Sequence, residues 1–315
     1  MRALLALLVL AACSMSEAPA LADPQPPPRN AAQAPAAVID VPLENAADTP
    51  ATAHQPISLD CAGAFVQGGT VLCRTWPHAE IAIDGAPFGR ADGDGWAVLG
   101  FTRENSSESV IQARARGSEV SRAYQVAPRT FDVQRIDGLP QQTVTPSDPA
   151  VLARIQREAA MKQEGFASQA AMTGFLDGFI WPVEGRISGR WGNQRVLNGT
   201  PTTPHFGVDI AADAGTPIRA PAAGVVSLAN ADMHFEGGLV FIDHGQGLIT
   251  MYLHMSRLDV VAGQRVAQGQ IIGAVGASGR ATGPHLCWRM RLNGRQLDPT
   301  VAIEGLQAAR TELAR

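Results

Sequence analysis

The stretch Gly283-Pro284-His285-Leu286-Cys287-Trp288 places an imidazole and a thiol two residues apart. Side chains of similar chemistry occur in Pro204-His205-Phe206-Gly207-Val208-Asp209 and in Met251-Tyr252-Leu253-His254-Met255. Imidazole nitrogen, carboxylate oxygen and thiolate sulfur are zinc ligands, and a catalytic zinc site holds three of them and leaves one position open. The three segments together therefore predict a metal site with additional histidines beside it.

The region around these segments, residues 179–303, is predicted to be a compact antiparallel β domain. Glycine is frequent there, and β-branched runs alternate with turn dipeptides. Residues 304–315 are predicted to form a short terminal helix or a tail. Strands are predicted at Ala220 to Leu228, Gly238 to Asp243, Leu248 to Leu253 and Ile271 to Val275.

The region before it, residues 57–133, is predicted to be a small β-sandwich, because short alternating runs recur between turn residues at a spacing of roughly 8–12 residues. Cys61 and Cys73 lie twelve positions apart in two such runs, and we predict a disulfide between them. Asp92-Gly93-Asp94-Gly95 lacks the remaining ligands of a calcium loop, so a polar hairpin turn is favoured there.

A linker, residues 134–178, is predicted to connect the two domains. It contains apolar residues near a 3.6-residue spacing from Ala150 to Phe166, preceded by Ser147-Asp148-Pro149, which indicates an amphipathic helix. The fold class expected for the whole chain is therefore mostly β, with one connecting helix.

The N-terminus, residues 1–22, is predicted to be an export signal, because Met1-Arg2 precedes an apolar run too short to span a bilayer. Two processing sites compete. Leu10-Ala11-Ala12-Cys13 has the form of a lipobox and would leave a lipidated Cys13, whereas Ala20-Leu21-Ala22 has the form cut by ordinary signal peptidase. Either predicts an exported, periplasmic protein, and the first predicts an outer-membrane lipoprotein.

The composition narrows the choice of partners. Residues 23–56 are rich in Ala and Pro and are predicted to be a disordered tether. The 315 residues include 25 basic and 29 acidic side chains, with a net charge of -4 and no basic cluster, which argues against nucleic acid. In an oxidising compartment Cys287 is left without a disulfide partner, which favours a metal ligand over a small buried apolar side chain.

The segments from Phe179 to Val301 together resemble a lysostaphin-type (LytM-like) zinc metallopeptidase domain. The blocks that carry the resemblance occur in order: Trp181 to Ser188 with Trp191-Gly192, Pro204 to Asp209, Ala220 to Val226, Ile242 to Gly245, Tyr252 to His254, and Thr282 to Leu286.

The resemblance implies a zinc endopeptidase that acts on the peptides of bacterial peptidoglycan. It implies that His205 and Asp209 bind Zn²⁺ and that His254 and His285 flank the attacking water. The family's third ligand is a histidine two residues after His285, and this chain has Cys287 there.

The substitution leaves alternatives open. A His/Asp/Cys set cancels the charge of Zn²⁺, so it is expected to be a weaker Lewis acid than His/Asp/His. The leading hypothesis is an active peptidoglycan hydrolase. The second is a weak or inactive wall-binding protein that regulates other hydrolases, and the third is that the β-sandwich binds a glycan or a regulatory protein.

Overall fold

The fold is mostly β, as predicted, and the computed structural model describes it for residues 58–315, without the side chains of Gln142 and Thr143. The predicted export signal, Cys13 and the tether at 23–56 lie outside the described residues. Among the helices of the described part, none is long and apolar enough to cross a membrane.

The strands are β1 (Asp60–Gly63), β2 (Thr70–Arg74), β3 (Glu80–Ile83), β4 (Ala86–Arg90), β5 (Trp96–Gly100), β6 (Glu108–Ala115), β7 (Ser118–Gln125), β8 (Val133–Ile136), β9 (Arg186–Gly189), β10 (Gln194–Leu197), β11 (Thr200–Pro201), β12 (Val208–Ala211), β13 (Pro217–Arg219), β14 (Gly224–Met233), β15 (Gly237–Asp243), β16 (Leu248–Met255), β17 (Arg257–Leu258), β18 (Arg265–Val266), β19 (Ile271–Ala274), β20 (His285–Leu292) and β21 (Arg295–Leu297). The helices are α1 (Gln141–Val144), α2 (Pro149–Phe166), a 3-10 turn (Gly174–Asp177) and α3 (Pro299–Leu313).

Two antiparallel sheets form the N-terminal part, in the orders β1-β2-β5 and β4-β3-β6-β7. Residues of both sheets, including Val71, Leu99 and Ile111, share one buried core. Cys61 lies opposite Cys73 in the β1–β2 register, and their sulfurs form a disulfide.

The turn at Asp92 differs from the predicted hairpin. It connects β4 to β5, and these strands belong to different sheets. Asp92 Oδ1 accepts hydrogen bonds from the backbone N–H groups of Asp94 and Trp96. The first carboxylate of the segment therefore stabilises its own turn, because a short Asp side chain readily accepts from backbone two residues on.

The C-terminal part is built on an eight-stranded sheet in the order β18-β14-β15-β16-β20-β12-β9, with β21 paired to β20. One face packs, through residues such as Ile210 and Trp288, against the small sheet β13-β19-β17. The opposite face meets α2, where Phe166 stacks on Phe241 with ring centroids 4.7 Å apart. The candidate ligands lie on this second face.

Two boundaries in this part were predicted wrongly. The strand predicted from Ala220 begins instead at Gly224 and continues to Met233, because Pro221 cannot donate to a sheet ladder. The terminal helix begins at Pro299, five residues before the predicted tail. Asp298 caps it and Pro299 occupies its first turn, a start pattern that was present in the sequence.

The segment predicted as a linker also contributes a strand. β8 pairs in parallel with β10, in a three-stranded sheet of order β11-β10-β8. Leu139, just beyond it, exchanges hydrogen bonds with the Asn198 side chain at 3.1 and 2.6 Å. The chain therefore lies along the C-terminal part before α2 begins.

Replacing Asp298 with Ala is expected to lower the free energy of unfolding by about 3 kcal/mol. Asp298 is 1% exposed, and its carboxylate caps α3 and accepts from Arg129 Nη2 at 2.9 Å, so truncation removes a cap and deprives a half-buried cation of its carboxylate partner. The control is Asp148→Ala, which removes the exposed cap of α2 and is expected to cost about 1 kcal/mol. Equal losses in urea unfolding would contradict the special role of Asp298.

Candidate functional site

The candidate site is centred on β20, which lies between β16 and β12. Cys287 is the register partner of Asp209 on β12 and of Leu253 on β16. Strand side chains alternate between faces, so Leu286 and Trp288 enter the core while Cys287 lies on the opposite face. The sheet pairing thus brings together residues that are about 80 positions apart in sequence.

Three potential metal ligands converge there: His205, Asp209 and Cys287, with one ligand atom of each within 4.8 Å of the others. His205 Nε2 lies 3.2 Å from Asp209 Oδ1 and 3.4 Å from Cys287 Sγ. Zinc bonds of ~2.0–2.3 Å in a tetrahedral arrangement place ligand atoms roughly 3.3–3.8 Å apart. Asp209 Oδ1 is also buried without a hydrogen-bond partner. The residues present therefore fit a zinc ion.

The charges of these ligands are set by their surroundings. Burial would raise the pKa of Asp209, but the contact with His205 and the nearby Arg195 hold it well below its usual range. Burial lowers the pKa of His205, which favours a neutral imidazole. Burial raises the pKa of Cys287 to about 12, so a metal must displace the thiol proton to bind there.

His254 lies on β16, one residue after Leu253, at the rim of this cluster. Its φ of 66° is in the left-handed region, which is uncommon for a residue with a side chain and occurs at functional sites. Nδ1 lies 2.8 Å from the Ser278 carbonyl oxygen, so Nδ1 carries the proton and donates, and Nε2 is left as an acceptor. Burial, with the nearby His285, lowers the pKa of His254 to about 4. A neutral imidazole is the form that can accept a proton.

His285 is held in the same way at the start of β20. Its Nδ1 donates to the Gly283 carbonyl oxygen at 2.8 Å, and its Nε2 lies 3.7 Å from Asp209 Oδ1. The rings of His254 and His285 are 4.8 Å apart between centroids. Both predicted catalytic histidines therefore lie beside the ligand cluster.

Two arginines contact the candidate ligands, and the sequence analysis missed both. Arg195, on β10, pairs closely with Asp209 Oδ2. Arg289 donates from Nε to Cys287 Sγ at 3.4 Å. The strand alternation that places His285 and Cys287 on one face also places Arg289 there, and this pattern was visible in the sequence. Arg195 had no such local indication.

His244 lies in the turn between β15 and β16, and its side chain enters the core. It is fully buried, with Nδ1 2.8 Å from the Ala223 carbonyl oxygen and Nε2 2.7 Å from Thr250 Oγ1. Its two ring nitrogens are engaged by these contacts, so it is not a member of the ligand cluster.

Comparisons with known proteins place the site in context. Residues 203–299 match the sequence pattern of peptidase family M23. A crystal structure assigned to peptidase M23, from Pseudomonas aeruginosa, is 32% identical with a TM-score of 0.56, and the match covers 76% of this chain and 94% of that one.

Curated relatives match about a third of the chain or somewhat more. Peptidoglycan DD-endopeptidase ShyC of Vibrio cholerae is 45% identical over 105 residues, which are 33% of this chain and 24% of that protein. The lipoprotein NlpD/LppB homolog of Pseudomonas aeruginosa is 33% identical over 124 residues, which are 39% of each chain. The match thus spans less than half the length of these relatives.

Proposed function

The chain belongs to peptidase family M23, and on this basis we propose that it is a zinc-dependent endopeptidase that hydrolyses peptide bonds of bacterial peptidoglycan. The observation that carries the proposal is the convergence of His205, Asp209 and Cys287 beside two histidines that are each anchored through Nδ1 to a backbone carbonyl. Peptidoglycan is proposed as substrate because the similar ShyC is a peptidoglycan endopeptidase by name.

In the proposed mechanism His205, Asp209 and Cys287 would hold Zn²⁺, which would supply Lewis-acid activation of a carbonyl group and of water. His254 Nε2 accepts the proton of the attacking water, since the Ser278 carbonyl fixes the proton on Nδ1. His254 then returns this proton to the leaving amine, and His285 stabilises the developing oxyanion when Nε2 as well as Nδ1 carries a proton. The Gly283 carbonyl orients that second imidazole.

A regulatory, non-catalytic role is the second candidate, and the two arginines favour it. Arg195 engages Asp209, and Arg289 engages Cys287, so both candidate anions have a protein partner. The high pKa of Cys287 also favours a non-catalytic role, because a protonated thiol is a poor metal ligand. In this role the domain would bind peptidoglycan or another hydrolase without cleaving a bond.

The test is to incubate the purified protein with isolated sacculi and measure released peptides by chromatography. We expect about one equivalent of zinc per chain, release that stops with a chelator, and recovery on adding zinc. Absence of zinc from protein purified without chelators would overturn the peptidase proposal. Stoichiometric zinc without release, together with faster release by an added amidase, would favour the regulatory role.

We also propose that the chain is exported, since peptidoglycan lies outside the cytoplasmic membrane. Residues 1–22 would direct export, with lipidation at Cys13 or cleavage after Ala22, and residues 23–56 would serve as a tether. The two sheets within 57–133 are proposed to bind a regulatory protein or to position substrate for the domain at 179–303.

A further inference from the structure

The backbone of His254 has a conformation that its surroundings must enforce. A left-handed backbone is strained for a residue with a side chain, and it persists only where neighbouring structure holds it. Here the backbone N–H donates to the Glu236 carbonyl oxygen at 2.8 Å. The imidazole Nδ1 donates to the Ser278 carbonyl oxygen at 2.8 Å. The two segments that contain Glu236 and Ser278 therefore hold His254 in place.

The first of these segments is the turn His234-Phe235-Glu236, which connects β14 to β15. This turn also contacts the second segment, the loop at residues 278–280. The Phe235 carbonyl oxygen accepts from the backbone N–H of Arg280 at 2.8 Å. A Cβ atom at Gly279 would lie 2.6 Å from the same oxygen, so no side chain fits between the turn and the loop. A shift of the turn would thus reach both restraints on the histidine.

Helix α2 contacts this turn through two side chains that are four residues apart, a spacing that a helix places on one face. Glu158 Oε2 accepts from the backbone N–H of His234 at 2.9 Å. Lys162 Nζ pairs closely with the Glu236 carboxylate, and both of these side chains are mostly buried. The turn is therefore anchored to α2 at its first and its last residue.

Glu158 has its own support within α2. It is 6% exposed, and a buried carboxylate is costly unless it has partners. Arg154, one helical turn earlier, donates from Nε to Glu158 Oε1 at 2.6 Å and from Nη2 to the Asp232 carbonyl oxygen at 2.7 Å. One carboxylate oxygen is thus fixed within the helix while the other binds the turn. The position of the turn is set by α2 and not only by the strands that it connects.

We propose that α2 acts on the candidate site from outside it: Glu158, supported by Lys162, positions His254 through the turn between β14 and β15. Helix α2 precedes residues 203–299, which match peptidase family M23, and Glu158 does not line the cleft. Glu158 is therefore a positioning residue. The effect on catalysis rests on the proposed peptidase function, whereas the effect on the geometry of His254 does not.

The test compares Glu158→Ala, Glu158→Gln and Lys162→Met with the unaltered full-length protein. On zinc-loaded protein, zinc content is measured together with kcat and KM for a synthetic cross-linked stem peptide. On metal-free protein, nuclear magnetic resonance reports the tautomer of the His254 imidazole and the hydrogen exchange rate of its backbone N–H. His254→Asn serves to assign these signals. The magnetic resonance readouts require neither metal nor hydrolysis.

We expect Glu158→Ala to lower kcat by about tenfold to a hundredfold with KM and zinc content unchanged, because the imidazole is displaced and the ligands are not. The imidazole should change from one tautomer, with the proton on Nδ1, to a mixture. The backbone N–H should exchange at least about tenfold faster. Glu158→Gln should recover part of the loss, because its amide oxygen can still accept from His234. Lys162→Met should produce a smaller change of the same kind.

Three controls separate positioning from stability. Glu164→Ala removes an exposed carboxylate of the same helix and is expected to leave every readout unchanged. Asp298→Ala lowers the stability of the fold, but below its unfolding temperature it should leave kcat and the His254 signals unchanged. In a His254→Asn background, Glu158→Ala should have no further effect on kcat, because a residue that acts through the imidazole has no effect once the imidazole is absent.

The outcomes distinguish this inference from the proposed function. Unchanged His254 signals, or an unchanged kcat in an active enzyme, would overturn the inference. An equal fall of kcat in Asp298→Ala would also overturn it. If Glu158→Ala does not fold, Glu158→Gln and Lys162→Met decide by the same criteria. If the unaltered protein cleaves no peptide but the His254 signals still depend on Glu158, the positioning stands and the peptidase proposal fails.

Discussion

Replacing Cys287 with Ser is expected to lower the zinc content from about one equivalent to a small fraction and to reduce peptide release by at least about 100-fold. A serine hydroxyl keeps its proton near neutral pH and is a poor zinc ligand, so only His205 and Asp209 remain. Metal content by mass spectrometry and release from sacculi measure the two effects. Cys287→His is the matched variant, and it is expected to retain zinc because it restores a nitrogen ligand.

Cobalt substitution gives a second readout that does not depend on activity. A thiolate bound to Co²⁺ produces an intense near-ultraviolet charge-transfer band, which should be present in the unaltered protein and lost in Cys287→Ser and Cys287→His. Cys287 is 1% exposed, so thermal unfolding must show that both variants fold. Stoichiometric zinc of unchanged affinity in a folded Ser variant would show that the sulfur is not a ligand.

Replacing His254 with Asn is expected to reduce kcat by about 10²–10⁴-fold while zinc content stays unchanged. Asn accepts the left-handed backbone at this position, so the variant removes the imidazole without adding the strain that Ala would bring. Release of peptides from sacculi and zinc content are measured on the same preparation. Loss of zinc together with activity would instead indicate a ligand role.

His78 offers a matched control for this variant. It also has a left-handed backbone, with φ of 59°, but it is exposed and lies among the strands of the N-terminal sheets. His78→Asn is expected to leave zinc content and kcat unchanged. Activity of His254→Asn close to that of the His78 variant would contradict the assignment of His254 as the proton acceptor.

The residues of the candidate metal site could be predicted from the sequence, although their roles as metal ligands stay predictions. His205, Asp209 and Cys287 occur in short blocks with characteristic neighbours, and the structure brings their side chains together. Arg289 was also within reach, since it shares a strand face with Cys287. Arg195 was not, because its approach to Asp209 depends on where β10 lies relative to β12, and no local pattern encodes that placement.

The left-handed backbone of His254 illustrates a second limit. The residue is neither Gly nor Asn, so nothing in its identity indicates a positive φ. The conformation is maintained by tertiary contacts, including the hydrogen bond from its backbone N–H to the Glu236 carbonyl at 2.8 Å. Strand boundaries near Pro221 were wrong for a simpler reason, since the hydrophobic run was extended across a residue that cannot join a ladder.

The pairing of β8 with β10 means that the cleft is not a property of the C-terminal domain alone. Gln134, Ile136 and Leu139 form part of its wall, and they precede the domain predicted at 179–303 by some 40 residues. A fragment beginning at residue 179 would keep all the proposed ligands and both histidines, but one side of the cleft beside them would be open to water. A fragment that begins before Val133 should therefore keep both the proposed metal site and the whole cleft wall. A fragment that begins after α2 should keep the proposed metal site but lose part of that wall.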